Sequence, residues 1–113
     1  MQTIAFDVEY HSDTEKLTNA LKAKVERRLE KLAHRHHDIT GASLAVQTVS
    51  GANRKPDYKV RLVLYHRPDN IAAIRKNETV ANALMEALDA VERQVREHRE
   101  RLHARTRRRQ TKA

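Results

Sequence analysis

Residues 4–32 read IAFDVEYHSDTEKLTNALKAKVERRLEKL, and this stretch decides the fold. Ile4, Phe6, Val8 and Tyr10 alternate with Ala5, Asp7 and Glu9, the period of a strand with one buried face. Ser12 or Asp13 then offers an oxygen to the free N–H groups of a helix start, with Glu15 and Lys16 in the first turn. Leu17, Leu21, Val25, Leu29 and Leu32 follow at helical spacing, and the pattern fades among His34, Arg35, His36, His37 and Asp38. A helix of roughly 20 residues suits a crossover, so the next strand should lie parallel to the first.

Downstream the period changes back to two. Leu44, Val46 and Thr48 alternate with Ala45, Gln47 and Val49; Tyr58, Val60, Leu62 and Leu64 alternate with Lys59, Arg61, Val63 and Tyr65. Between them, residues 50–57 carry Gly51 and Pro56 and read as a loop, and Arg67-Pro68-Asp69-Asn70 reads as a turn. Ile71 to Ile74 make a short fourth strand. Asn77 or Thr79 caps a long last helix, with Val80, Leu84, Leu88, Val91, Val95 and Leu102 on one side. The expected fold is α+β, in the order β-α-β-β-β-α. It has a four-stranded mixed sheet with both helices packed on one face, because each helix carries a single apolar stripe.

At 113 residues the chain is one small domain, large enough to fold without staples. It has no Cys, which excludes disulfides and thiolate zinc sites. No apolar run approaches the ~20 residues of a membrane span, and the N-terminus lacks the pattern of a secretion signal. The expected setting is cytoplasmic, without a membrane. The formal charge is +8 with a pI near 10.2, which points to a polyanionic partner. The aromatics are Phe6, Tyr10, Tyr58 and Tyr65, too few for a single-strand stacking platform. That favours backbone and shape contacts with structured RNA.

The basic residues fall in three places. In the first helix Lys16, Lys24, Arg27, Arg28 and Lys31 lie on one flank of the apolar stripe, with Glu15, Glu26 and Glu30 on the other. The strand region carries Arg54, Lys55, Lys59, Arg61, Arg67, Arg75 and Lys76 against Asp57 and Asp69. In the last helix Asp89 precedes Arg93, Glu92 precedes Arg96 and Glu97 precedes Arg101 by four residues, the spacing of stabilising ion pairs. After Glu100 no acid remains, and Arg105, Arg107, Arg108, Arg109 and Lys112 follow. Residues 1–104 are thus expected as the folded domain and 105–113 as a basic disordered tail. Flank, strands and tail together predict a broad surface held by phosphates.

Catalytic patterns are wanting. Gly41 and Gly51 cannot make a phosphate loop, and no acid–His–Ser order stands out. His34, His36, His37 and Asp38 form the one metal-like cluster, on a fraying helix end that suits zinc poorly. His98 falls in the apolar stripe of the last helix, which suits a packed core histidine. No enzyme activity, cofactor, metal or small-molecule substrate is expected.

The chain resembles the short ribosome hibernation-promoting factors, or ribosome-associated translation inhibitors, over roughly Met1 to Leu102. The signs are the Met1-Gln2 strand leading to a helix that ends Arg28-Leu29-Glu30-Lys31-Leu32, three middle strands, and a last helix running Ala87-Leu88-Asp89 through Arg93-Gln94-Val95 to His98-Arg99-Glu100-Arg101-Leu102. The resemblance implies a fold similar to double-stranded-RNA-binding domains. It also implies binding over the mRNA and tRNA sites of the small ribosomal subunit, inhibition of translation, and protection of idle ribosomes under stress. By position, Arg93, His98, Arg99 and Arg101 match polar or basic sites of that family's last helix, and Lys24, Arg28 and Lys31 match the basic side of its first. The expected rRNA-binding set is these residues with Lys59, Arg61, Arg75, Lys76 and the tail arginines 105, 107, 108 and 109. The expected partner is the small subunit and its rRNA, met by a monomer. The alternatives are a general double-stranded RNA or DNA binder, and an enzyme on a ferredoxin-like sheet.

Overall fold

The computed structural model describes residues 7–36, 38–50, 56–66 and 69–111, with 102–111 as backbone only. The elements run β1 (Asp7–Ser12), α1 (Asn19–Arg35), β2 (Ile39–Ser50), β3 (Pro56–His66), β4 (Ile71–Asn77) and α2 (Val80–Thr111). They form one four-stranded sheet in the order β1-β2-β3-β4. β1 is parallel to β2, and the other two pairings are antiparallel, as the crossover and the short turns require. The first-strand positions Ile4 and Phe6 and the loop residues Arg54 and Lys55 lie outside the described residues, as do His37, Arg67 and Lys112.

One face of the sheet is apolar. Ala42, Leu44, Val46, Val60, Leu62 and Leu64 point to it and are buried. Val25 and Leu29 of α1 and Leu84, Leu88, Val91 and Val95 of α2 close over it. Burying each such side chain contributes about 1.5–3 kcal/mol, so both helical stripes are committed to a single core. Tyr10 ties β1 to α1: its hydroxyl donates to Glu26 Oε2 at 2.6 Å while Lys22 Nζ sits 5.0 Å from its ring centre. Burial first, then the Glu26 hydrogen bond, raises the phenol above its ordinary pKa.

Three local expectations are corrected. The cap of α1 is neither Ser12 nor Asp13 but Thr18, whose Oγ1 accepts from the Leu21 N–H at 3.2 Å. Asp13 instead accepts from both the Thr48 N–H and hydroxyl, at 2.9 and 3.0 Å, pinning the chain to β2. Buried Leu17 anchors the entry, so the acceptor that follows it becomes the cap. β4 runs on to Asn77, because β3 is long enough to pair it, Tyr58 opposite Asn77. At the start of α2 both expected cap residues act: Thr79 Oγ1 accepts from Asn82 N–H, and Asn77 Oδ1 from Glu78 N–H.

The third concerns the C-terminal segment. α2 continues as helix through Thr111, where the charge run leads one to expect a disordered tail from Arg105. Arg and Gln are good helix formers, and extending an existing helix avoids the nucleation step. At 32 residues α2 is about 48 Å long, and its last described core side chain is Val95.

Candidate nucleic-acid interface

The two helices run in the same direction, since their cross-contacts advance together: Arg28 meets Glu92, and the Asp38 that follows α1 meets Arg99. Between these contacts two helical stripes face each other. Arg28, Lys31, Leu32 and Arg35 have the spacing i, i+3, i+4, i+7 on α1; Glu92, Arg96, Arg99 and Glu100 have i, i+4, i+7, i+8 on α2. With His36 they line a groove of about 730 Å³.

Arg28 was expected to contact phosphate, but here it is a clamp. Its Nε and Nη2 donate to both oxygens of Glu92 at 3.1 and 2.7 Å, and Nη2 also reaches Asp89 at 2.9 Å. The Glu92 hydrogen bond is the main cause of its raised pKa. This redirects the charges of α2. Asp89 and Glu92 do not pair with Arg93 and Arg96 four residues on; they turn across to α1. A forked, half-buried guanidinium–carboxylate contact outweighs an exposed i,i+4 pair worth a few tenths of a kcal/mol. Arg96 is left exposed, and among the described residues neither it nor Lys31, Arg35 or Arg93 enters an ion pair. Arg28→Ala should strip two carboxylates of their shared donor and cost about 1–2 kcal/mol of stability, measurable by urea unfolding. A melt unchanged from the parent would show the clamp to be ornamental.

The far end of the groove holds a histidine cluster that sequence reading only half anticipated. His98 packs against His66 edge to face, with ring centres 5.0 Å apart, and is half-buried. His66, with its side chain 1% exposed, sits 3.6 Å from Asp38 Oδ2. Arg99 Nη2 donates to the other oxygen of Asp38 at 2.6 Å. His66 carried no signal in the sequence, because it closes a strand at a turn. Among the described residues no group of three or more His, Cys, Asp or Glu stands ready to hold a metal.

Burial, then the Arg99 charge, lowers the pKa of His36. The unfolded chain therefore takes up that proton at higher pH than the folded one. The stability His36 contributes is whole above the ordinary imidazole range near 6.5 and is lost as pH falls through the folded value. His36→Asn should flatten the decline of urea stability between neutral and mildly acid pH. Identical pH slopes in variant and parent would refute this account.

The strand cations lie elsewhere. Lys59 and Arg61 are exposed on the sheet face away from the helices, and Lys76, opposite Lys59, shares that face. Lys76 Nζ is 4.0 Å from Asp57. Arg75, opposite buried Val60, points to the helical side and folds back on the Ile74 carbonyl. The single broad basic surface expected from the sequence thus divides into two, separated by the sheet. The helical side holds Lys24, Lys31, Arg35, Arg93, Arg96 and Arg101, all exposed, with Arg99 partly committed to Asp38. Side chains beyond Arg101, including the tail arginines, lie outside the described residues.

Comparison with known proteins agrees with this architecture. Residues 8–103 match the family described as Sigma 54 modulation protein / S30EA ribosomal protein. No curated protein matches the chain by sequence. A ribosomal subunit interface protein from Coxiella burnetii is similar in structure with a TM-score of 0.67 at 12% identity, covering 83% of this chain and 98% of that one. The N-terminal domain of Thermus thermophilus Protein Y gives a TM-score of 0.57 at 16% identity, covering 86% and 99%. At these identities the two structures speak for the fold.

Proposed function

Because this chain belongs to the Sigma 54 modulation protein / S30EA ribosomal protein family, whose members are ribosome-associated modulation factors, we propose that it occupies the mRNA and tRNA channel of the small ribosomal subunit under stress, inhibiting translation and keeping idle ribosomes in reserve. The carrying observation is the helical side. Its exposed cations Lys24, Lys31, Arg35, Arg93, Arg96 and Arg101 stand in rows on two same-direction helices that a shared core holds rigid. Rows of cations on a rigid frame suit the phosphates of folded rRNA, and the few aromatics of the sequence are a poor basis for reading loose bases by stacking. The similar structures, one a ribosomal subunit interface protein, support the same reading. No described helix is long and apolar enough to cross a membrane, and the reading is of a non-catalytic cytoplasmic protein.

The test is sedimentation of purified protein with small subunits at moderate salt, in excess competitor RNA. It should remain with the subunits, inhibit translation in vitro, and yield to initiator tRNA or mRNA. Full co-occupancy with both would refute the channel placement, and release by competitor RNA would favour a general double-stranded RNA binder.

The C-terminal turns of α2 enter as a separate element. Their cations need no fixed geometry, because attraction acts over about 8 Å at physiological salt. Truncation after Ala104 should leave thermal stability nearly unchanged, since the last described core residue is Val95. It should weaken binding to ribosomes and to unrelated RNA alike. A far larger loss for ribosomes would mean site-specific contacts and refute a purely electrostatic role.

A further inference from the structure

The sheet has two edges, and they are finished differently. At β4 side chains take two backbone carbonyls: Ala72 accepts from Gln94 Nε2 at 2.9 Å, and Ile74 from the Arg75 guanidinium at 2.8 Å. Such caps blunt a strand edge against further pairing. At β1 the Asp13 N–H, just past the strand, donates to the Val46 carbonyl at 3.2 Å. Strand alternation then turns the backbone groups of Asp7, Glu9 and His11 towards β2, and those of Val8, Tyr10 and Ser12 away from it. Among the described residues nothing bonds to these outward N–H and C=O groups.

The charge around the β1 edge is the reverse of the chain's +8. Asp7 and Glu9 stand exposed on the sheet face away from the helices. Glu26 hangs over β1 from α1, bonded to the Tyr10 hydroxyl at 2.6 Å, and exposed Glu30 extends its stripe by one turn. Glu9 accepts in the same way from the Tyr65 hydroxyl at 3.0 Å. Among the described residues none of these four carboxylates enters an ion pair. The cation set against them is Lys22, over the Tyr10 ring, with His11 exposed at the end of the strand. The edge is thus acidic above and below, and it repels phosphate. Val8 and Tyr10 stay half-buried, because no strand lies beyond them to complete their cover.

We propose that the β1 edge receives an extended basic segment of another protein, which joins the sheet as a fifth strand. Its backbone bonds to the outward groups of Val8, Tyr10 and Ser12, at the ~4.8 Å spacing of neighbouring strands. Its side chains alternate: Lys or Arg on the outer face meets Asp7 and Glu9, and apolar residues on the helix face cover Val8 and Tyr10 beneath Glu26. A second copy of β1 fits poorly, since pairing would set Asp7 and Glu9 against their own like. The inference stands on the edge and its charge, not on the ribosome reading, and it is tested without ribosomes.

The experiment is amide hydrogen exchange and NMR titration of the full chain with the peptide Lys-Val-Lys-Val-Lys-Val-Lys. The comparison peptides are its block permutation Lys-Lys-Lys-Lys-Val-Val-Val and a version N-methylated throughout. At a peptide concentration ten times the dissociation constant, exchange at the Val8 and Tyr10 amides should slow by about tenfold, while Glu9 and His11, already bonded to β2, should change little. Asp7→Asn with Glu30→Gln should weaken the peptide by about threefold to tenfold. Both residues are exposed, so the double variant should fold, and its amide spectrum verifies this. Equal binding by the permuted or N-methylated peptide would reduce the edge to a charged surface and overturn the proposal. So would unchanged affinity in the double variant, binding without slowed exchange at Val8 and Tyr10, or no binding at millimolar peptide. Protection of the same two amides by a short RNA duplex, or by raising the protein concentration alone, would assign the edge to RNA or to a second copy instead and equally overturn it.

Discussion

Replacing Lys31, Arg35 and Arg96 together with glutamine is expected to weaken binding to small ribosomal subunits by roughly a hundredfold at physiological salt. The estimate follows from counterion release. Each phosphate contact contributes a slope of about 0.7–0.9 in log affinity against log salt, so three contacts carry about two decades between 1 M and 0.15 M salt. The same variant should flatten the measured slope by about 2–3. All three side chains are exposed and outside the ion pairs, so urea stability should stay close to the parent. Lys24→Ala with Lys31→Ala should do the same to a smaller degree, whereas Arg28→Ala should act mainly on stability. Unchanged affinity and slope in the triple variant would show that the helical side is only a solvated face.

The largest effect on stability is expected from Leu29→Ala. Leu29 is fully buried where α1 meets the common core. Removing such a leucine costs about 3–5 kcal/mol, transfer plus residual cavity, against a total of about 5–15 kcal/mol for a domain. Urea unfolding should show a midpoint lowered by a large fraction at an unchanged m-value. Ile74→Ala is the control: Ile74 is 50% exposed on the outer sheet face, and its loss should be nearly silent. Similar costs at the two positions would mean that the core is not where α1 and the sheet meet.

The elements were legible because their signals are local. Alternation at Tyr58–Tyr65 and helical spacing at Leu21–Leu32 and Val80–Val95 each repeat several times within one element, and the length of α1 dictates the parallel pairing of β1 with β2. The site was less legible because ion pairing is settled by tertiary competition. Asp89 and Glu92 have good partners along their own helix, and nothing local reveals that Arg28 offers a better one 61 and 64 residues upstream. The cap of α1 was misplaced for a related reason: Ser12, Asp13 and Thr18 are all competent acceptors, and buried Leu17 chooses among them. The place of His98 in the apolar stripe foretold that it packs, whereas its partner His66 sits where the strand alternation ends.

The pairing order of the sheet also bears on how the chain can be made. β1 and α1 leave the synthesising ribosome first, yet β1's only neighbour is β2, and the apolar face of α1 has nothing to rest on until the sheet exists. The last described core side chain of α2 is Val95. Vectorial synthesis therefore exposes the apolar faces of α1 and three strands until α2 has emerged. The β2-β3-β4 meander, joined by short connections, is the part that can pair early. Nascent chains arrested before α2 has emerged should remain protease-sensitive throughout, and resistance should arrive in a single step once α2 has left the exit tunnel.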